Sequence, residues 1–169
     1  LPVRRVVTNN GQVAEIFCAL GAAAALVGIS DHTLQQNTEL LTPLKDKTAI
    51  GPAANPSIEN IEDLEPELVI VYDIWLSPDQ LEGKLAPLGR PVARLNCYRI
   101  DTIRSEIAIL GKLLGKEAEA AAYLQDFDAV LALTTVRLQG LAQPVRVYAE
   151  GYSEHTTSSR RAPNHELFA

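Results

Sequence analysis

Short apolar runs alternate along the chain with longer segments in which apolar residues recur at helical spacing. The runs at 5–8, 26–29, 68–72 and 92–95 are predicted strands. The run at 68–72 is unbroken, which indicates a strand buried on both faces, as in a parallel sheet. Because strands and helices alternate, the predicted fold class is α/β, an open parallel sheet with helices on both faces.

Capping residues and glycines mark the predicted helix boundaries. The first helix carries Val13, Ile16 and Leu20 on its apolar face and is predicted to end at Gly21. Later helices are predicted at 58–64, capped by Ser57, from 77 to about 89, and from 101 or 102 to 115. Residues 33–56, which contain three prolines, are expected to be irregular.

The segment 116–141 is predicted to form one long helix, because it is rich in Ala, Leu, Glu and Gln. Its length, on the order of 35 Å at about 1.5 Å per residue, is enough to bridge two lobes. A further strand is predicted at 145–148. We therefore divide the chain into an α/β lobe at 1–115, a connecting helix at 116–141 and the start of a truncated second lobe at 142–169.

The strand at 145–148 has no predicted sheet partners within the chain. An unpaired strand of this kind pairs with another molecule, lies on an exposed edge or stays mobile. We therefore expect self-association or disorder in residues 145–169.

Charge and hydropathy exclude two classes of protein. The chain carries 15 basic and 21 acidic residues, a net charge of −6, whereas nucleic-acid binding usually needs a basic face. No nucleic-acid partner is therefore expected. The longest apolar run, 20–29, contains two glycines and is too short to span a membrane. The chain has no Met, even at position 1, so we expect that an upstream segment, with an export signal as one candidate, has been removed.

The sequence lacks the common catalytic and phosphate-binding signatures G-x-G-x-x-G, G-x-x-x-x-G-K-[ST] and G-x-S-x-G. Asp73 follows a strong strand, as in phospho-acceptor receiver domains, but residues 8–10 are Thr-Asn-Asn where a receiver needs an acidic pair. Ser30, Asp31 and His32 have the residue types of a hydrolytic triad. Adjacent side chains point in different directions and cannot form one relay, so a polar loop is the simpler interpretation.

Metal and disulfide chemistry find no support in the spacing of residues. The histidines, His32, His155 and His165, show no metal-ligand pattern. Cys18 and Cys97 form no C-x-x-C pair and can bond to each other only if the fold brings them together. We expect neither a metal nor a cofactor.

Ligands of open parallel sheets bind beyond the carboxyl ends of the strands. Tyr72 and Trp75 flank the end of the clearest strand, where aromatic rings stack on a large planar or apolar ligand. The alternative is that one of them packs under the following helix. The predicted ligand-binding residues at this edge are Asn9, Asn10, Asp31, His32, Tyr72, Trp75 and Tyr98. A single-domain α/β enzyme with Asp31, His32 and Asp73 in its site is the alternative hypothesis.

Residues 57–71, SIENIEDLEPELVIV, resemble a family signature. They are similar to the segment N-hydrophobic-E-x-I-x-x-L-x-P-D-L-V-I of periplasmic binding proteins for iron–siderophores, haem and vitamin B12. Ser57 stands where the pattern has Asn, and both residues cap helices. Other pieces resemble the family in the same order and extend the resemblance over nearly the whole chain: the strand and helix at 6–21, the strand at 26–30, the L-G-x-P-V turn at 88–92, the helix entry at 110–121 and the loop at 150–167.

The resemblance implies a two-lobed binding protein that is not an enzyme. In this family a rigid helix joins the lobes, the ligand sits between them, and a glutamate on each lobe docks onto arginines of a membrane permease. The implied function is the substrate-binding component of an ABC importer for an iron chelate, haem or corrinoid. The implied location is extracytoplasmic, in the periplasm or as a cell-surface lipoprotein. Most of the second lobe, with its docking glutamate, is expected beyond Ala169.

Two residues take roles from the resemblance. Glu59 corresponds to the glutamate that docks onto the permease; alternatively, it only stabilises the start of its own helix through the amide groups there. Arg160, in the loop of the second lobe, would suit an anionic chelate. The alternative for Arg160 is a solvated loop arginine.

Overall fold

A five-stranded parallel sheet forms the centre of the structure, a computed structural model that describes residues 2–72 and 78–139, without the side chains of 78–80 and 88. The strands are β1 (Val6–Thr8), β2 (Leu26–Ile29), β3 (Thr48–Ala49), β4 (Leu68–Val71) and β5 (Val92–Arg94). The helices are α1 (Gly11–Ala19), α2 (Asp31–Gln35), α3 (Ile58–Asp63), α4 (Pro78–Leu85), α5 (Ile103–Leu114) and α6 (Glu117–Leu138).

The strand order β3-β2-β1-β4-β5 places β1 at the centre of the sheet. The chain moves outward from β1 through β2 to β3, and then returns to the other side of β1 for β4 and β5. The direction in which strands are added to the sheet therefore reverses between β1 and β4. These two strands are parallel and pair from Val6↔Leu68 to Thr8↔Ile70. Ligands of open parallel sheets bind beside such a reversal, at the carboxyl ends of the strands.

Successive residues of β1 point to opposite faces of the sheet and enter two separate cores. Val6 packs with Phe17 of α1 and Leu110 of α5, whereas Val7 packs with Ile61 of α3. All five side chains are fully buried, and each contributes about 1.5–3 kcal/mol through burial. Helices on both faces of a parallel sheet confirm the predicted α/β fold.

The long helix α6 packs along α5 and continues past it. Gly111 allows the two helices to approach closely, because a Cβ at this position would lie 2.7 Å from the Cβ of Ala120. Arg104 of α5 forms an ion pair with Asp128 and lies over the ring of Phe127. Towards its end, α6 exposes the apolar residues Val130, Leu133, Val136 and Leu138. No helix in the described ranges has both the length and the apolar character needed to cross a membrane.

The expectation that residues 33–56 are irregular is wrong. Helix α2 extends into this segment and β3 lies within it. Both residues of β3 are exposed, so no apolar run marks the strand. It exists because Thr48 and Ala49 pair with Gly28 and Ile29 of β2. Asp31 and His32, expected in a polar loop, instead begin α2. The strand predicted at 145–148 and the tail after it lie outside the described residues.

The glycine in β2 tests the packing between the sheet and α3. A Cβ on Gly28 would clash with the side chain of Leu64 and lie 2.9 Å from Ile50, so we expect Gly28→Ala to lower the free energy of unfolding by about 1–3 kcal/mol. Gly83 of α4 has open space around it, and Gly83→Ala should raise this free energy by about 0.5–1 kcal/mol. Urea unfolding measures both variants. Effects of the same sign would contradict the described packing.

Candidate functional site

A cleft of about 450 Å³ opens at the carboxyl edge of the sheet. The segments that follow four strands form it, because parallel strands end at the same edge. The segment after β1 contributes Asn9, Asn10, Gly11 and Gln12; that after β2 contributes Ser30, His32, Thr33 and Gln36; and those after β3 and β4 contribute Pro52, Ala53, Ala54 and Tyr72. The prediction from sequence named four of these residues, Asn9, Asn10, His32 and Tyr72.

The described wall of the cleft carries no Asp, Glu, Lys or Arg side chain. Its polar groups are amides and hydroxyls, together with the exposed imidazole of His32. Apolar contacts come from Pro52, Ala53 and Ala54. Such a wall suits a ligand held by shape, apolar contact and neutral hydrogen bonds.

Two buried asparagines join the strand ends below the cleft. The side chain of Asn9 donates to the carbonyl of Ala53 (2.8 Å) and accepts from the backbone N–H of Tyr72 (2.9 Å). The side chain of Asn10 donates to the carbonyls of Leu95 (2.9 Å) and Asn96 (3.1 Å). Both amides thus hold the framework of the site, and direct ligand contact by either residue stays a prediction.

Asn10 also caps α1, since its Oδ1 accepts from the backbone N–H groups of Gln12 (2.9 Å) and Val13 (3.4 Å). Thr8 completes the arrangement: its hydroxyl donates to the carbonyl of Ile70 (2.9 Å) and accepts from the N–H of Asn10 (3.1 Å). No local pattern in the sequence indicates this role of Thr8, because its partner lies 62 residues away.

Asp31 and His32, adjacent in sequence, have different surroundings. Asp31 forms a reciprocal pair with Gly51: its N–H donates to the Gly51 carbonyl, and its carboxylate accepts from the Gly51 N–H, both at 3.0 Å. Asp31 does not line the cleft, whereas His32 does. Two cleft residues that sequence reasoning missed, Thr33 and Gln36, follow on the same segment. A helix predicted directly after β2 would have indicated them.

The rings of Tyr72 and Tyr98 contact each other beside the cleft, with centroids 5.6 Å apart and ring planes at 53°. The carboxyl ends of β4 and β5 bring them together, as expected for neighbouring parallel strands. Tyr72 lines the cleft and Tyr98 supports it from the side. Three other predicted site residues, Asp73, Trp75 and Arg160, lie outside the described residues.

Glu106 of α5 fixes the loop that follows β5. Its two carboxylate oxygens accept from the backbone N–H groups of Asn96 (3.2 Å) and Cys97 (2.7 Å).

Cys97 is buried with a positive φ of 56°, a conformation that costs on the order of 1–2 kcal/mol outside glycine. Burial and the adjacent Glu106 carboxylate raise the pKa of the Cys97 thiol to about 12. Cys97 and Cys18 are both free thiols.

Glu59 is exposed in the first turn of α3. Ser57 caps this helix as predicted, with its hydroxyl accepting from the N–H of Asn60 at 3.2 Å. Because α3 begins after β3, Glu59 lies towards the same edge of the sheet as the cleft. In residues 2–72 and 78–139, no three His, Cys, Asp or Glu side chains are grouped as a metal site would require.

The sequence profile of the periplasmic binding protein family matches residues 6–165, nearly the whole chain. The chain belongs to this family. A Bacillus subtilis lipoprotein, YhfQ, provisionally named an ABC transporter substrate-binding protein, is 30% identical over 124 residues. That match covers 70% of this chain but only 38% of YhfQ, so the chain spans well under half the length of this relative.

Solved structures of periplasmic binding proteins share the fold. The vitamin B12-binding protein BtuF of Vibrio cholerae superposes with a TM-score of 0.72 at 22% identity, over 87% of this chain and 55% of that one. The molybdate-binding protein MolA of Haemophilus influenzae superposes with a TM-score of 0.75 at 18% identity, over 87% and 52%. The parallel sheet with its helices and long α6 is therefore one lobe of the fold of a periplasmic binding protein.

Glu106 offers a test of the geometry at the end of β5. Glu106→Ala removes two charge-assisted hydrogen bonds from the loop and the charge that helps to raise the Cys97 pKa. Since the thiolate is the reactive species, we expect Cys97 to react with a disulfide reagent about tenfold faster or more, in a Cys18→Ala background. Ser105→Ala, at the exposed neighbouring position, is the control. Equal rates in both variants would show that Glu106 does not hold the loop.

Proposed function

We propose that this chain is the first lobe, with its connecting helix, of an extracytoplasmic substrate-binding protein of an ABC importer. It holds an iron chelate, haem or a corrinoid at the carboxyl edge of its sheet and delivers it to a membrane permease. The observation that carries the proposal is the open cleft at that edge, whose described wall holds no Asp, Glu, Lys or Arg side chain, in a chain of the periplasmic binding protein family. A wall of amides, hydroxyls and small apolar residues suits a large ligand that a second wall covers.

Binding without chemistry fits the residues at this edge better than the enzyme alternative. That alternative places Asp31, His32 and Asp73 in a polar site at the carboxyl ends of the strands. The Asp31 carboxylate accepts the N–H of Gly51 and lies outside the cleft lining. Among the described residues, no hydrogen bond joins His32 to this carboxylate, which would have to orient it as a base. Asp73 lies outside the described residues and adds nothing to either hypothesis.

The exposed apolar end of α6 supports a second lobe. Its first half packs on the core through Ala120, Tyr123 and Leu124. Near its end, Val130 and Val136 are each 64% exposed. A helix with apolar residues on its outer side is normally covered by further protein. We therefore retain the division into a lobe at 1–115, a connecting helix at 116–141 and the start of a second lobe at 142–169.

The cleft and the relatives together support the proposed ligand class. BtuF is a vitamin B12-binding protein and MolA a molybdate-binding protein, and these two ligands differ greatly in size and charge. An uncharged wall with Tyr72 at its end favours the large chelates and corrinoids over a small oxyanion. Arg160 remains our proposed contact for an anionic group of the ligand, and Trp75 our proposed stacking residue.

The ligand proposal is tested by calorimetric titration of the full-length protein with haemin, cyanocobalamin, a ferric siderophore and molybdate. We expect one of the first three to bind and to be recovered chemically unchanged. Ala54→Trp should weaken that binding about tenfold or more by filling the cleft. Ala24→Trp, at an exposed alanine towards the opposite edge, is the matched control. A converted ligand would favour the enzyme alternative, and equal losses would place the site elsewhere.

Permease docking is tested at Glu59. We expect Glu59→Gln to weaken binding to the permease most at low salt, because salt screens an exposed contact between charges. Ligand affinity should stay the same, and stability should fall by only about 0.3–1 kcal/mol. Glu117→Gln is the matched control, since Glu117 is also exposed in the first turn of a helix, α6. Equal permease binding by both variants at every salt concentration would leave Glu59 with only a role at its helix end.

A further inference from the structure

We propose that Asn9 is a positioning residue that fixes the separation of two walls of the cleft. The proposal rests on the function proposed above. Its basis is that one buried amide bridges two segments that both line the cleft: its Nδ2 donates to the carbonyl of Ala53, and its Oδ1 accepts from the N–H of Tyr72. Ligand contact by the Asn9 side chain is not required.

The two segments follow strands that lie on opposite sides of β1 within the sheet. Ala53 follows β3, the outermost strand on one side of β1, and Tyr72 follows β4, the first strand on the other side. Asn9 itself follows β1, between them, and is 5% exposed. The bridge therefore lies where the strand order reverses. In the described part of the chain, the pairing of β1 with β2 and with β4 ends at Thr8, so the sheet ladder does not link the segments beyond it.

Other hydrogen bonds of the 50–57 segment keep to its own side of the sheet. Gly51 pairs with Asp31, the N–H of Ser57 donates to Ile50, and the N–H of Asn55 donates to Pro52. In the described part of the chain, these bonds tie the segment to β2 and to itself. Among the hydrogen bonds described, those of the Asn9 amide link residues 52–54 to the end of β4.

The amide of Asn9 supplies both halves of this bridge from one short side chain. Asn presents a donor and an acceptor, whereas an ionised Asp presents acceptors alone. In Asn9→Asp an oxygen would face the Ala53 carbonyl, while the bond from the Tyr72 N–H would be kept. Asn9→Ala removes both bonds. Asn9→Asp therefore tests loss of the bond to Ala53 alone, and Asn9→Ala tests loss of the bonds to both Ala53 and Tyr72.

Asn10 provides a matched control at the neighbouring position. It has the same side chain and is also buried, but its amide holds Leu95, Asn96 and the start of α1. Asn10→Ala should disturb the β5 side of the site and the first turn of α1. It should leave residues 52–55 and Tyr72 as they are in the wild type.

The experiment is amide hydrogen exchange, measured by NMR on the full-length protein without ligand. In Asn9→Ala we expect the amides of Asn55 and Tyr72 to exchange about tenfold faster or more. In Asn9→Asp, only Asn55 should do so. Asn9→Leu, which is close to Asn in shape but has no side-chain donor or acceptor, replaces Asn9→Ala if the latter does not fold. If Asn10→Ala accelerates Asn55 and Tyr72 as much as Asn9→Ala does, or if neither Asn9 variant accelerates them, Asn9 is not the bridge.

Binding of haemin, cyanocobalamin and a ferric siderophore then separates this proposal from the proposed function. If one of them binds the wild type, Asn9→Asp should lower its affinity about tenfold while the protein stays folded. Unchanged affinity together with faster Asn55 exchange would overturn the positioning role. If none binds the wild type, the proposed ligand class fails and the positioning role fails with it, whereas the exchange pattern still decides whether Asn9 bridges the two segments.

Discussion

The site depends on the buried polar groups at the carboxyl end of β1. Where the sheet ladder stops, backbone groups of three segments would lose their hydrogen-bond partners in buried or half-buried surroundings, and an unsatisfied buried group costs about 1–3 kcal/mol. The side chains of Thr8, Asn9 and Asn10 take over from the ladder, with bonds to Ile70, Tyr72, Ala53, Leu95 and Asn96. The framework of the cleft is the outcome of satisfying these groups.

This constraint also explains why the described wall is uncharged. Polar side-chain atoms nearest the sheet are hydrogen-bonded to backbone groups. Two carboxylates in the described part of this edge are also bound to backbone groups, Asp31 to Gly51 and Glu106 to the loop after β5. What remains open to a ligand is neutral and partly apolar, with His32 and Tyr72 at its margin. A rigid neutral wall of this kind binds by complementarity of shape, and the opposing wall has to supply charge if the ligand carries it.

The sequence predicted those features of the fold that have a local pattern. β2 was predicted at its observed bounds, and Ser57 was predicted to cap α3, because an apolar run and a cap are each visible within a few residues. β3 was missed, since its two residues are exposed and only pairing with β2 defines it. Asn9 and Asn10 were placed at the correct edge, but their partners lie 44 to 86 residues away. No spacing rule distinguishes an asparagine that bridges the framework from one that contacts a ligand.

We propose that the carboxyl edge of this sheet is one wall of a ligand site. Amide chemical-shift mapping of the full-length protein distinguishes this edge from the rest of the lobe, with the tightest-binding of haemin, cyanocobalamin and a ferric siderophore as the probe. We expect shifts or broadening to cluster at residues 9–12, 30–36, 52–54 and 72. Changes centred on the opposite edge, around residues 2–4 and 22–25, with the carboxyl edge unaffected, would contradict it.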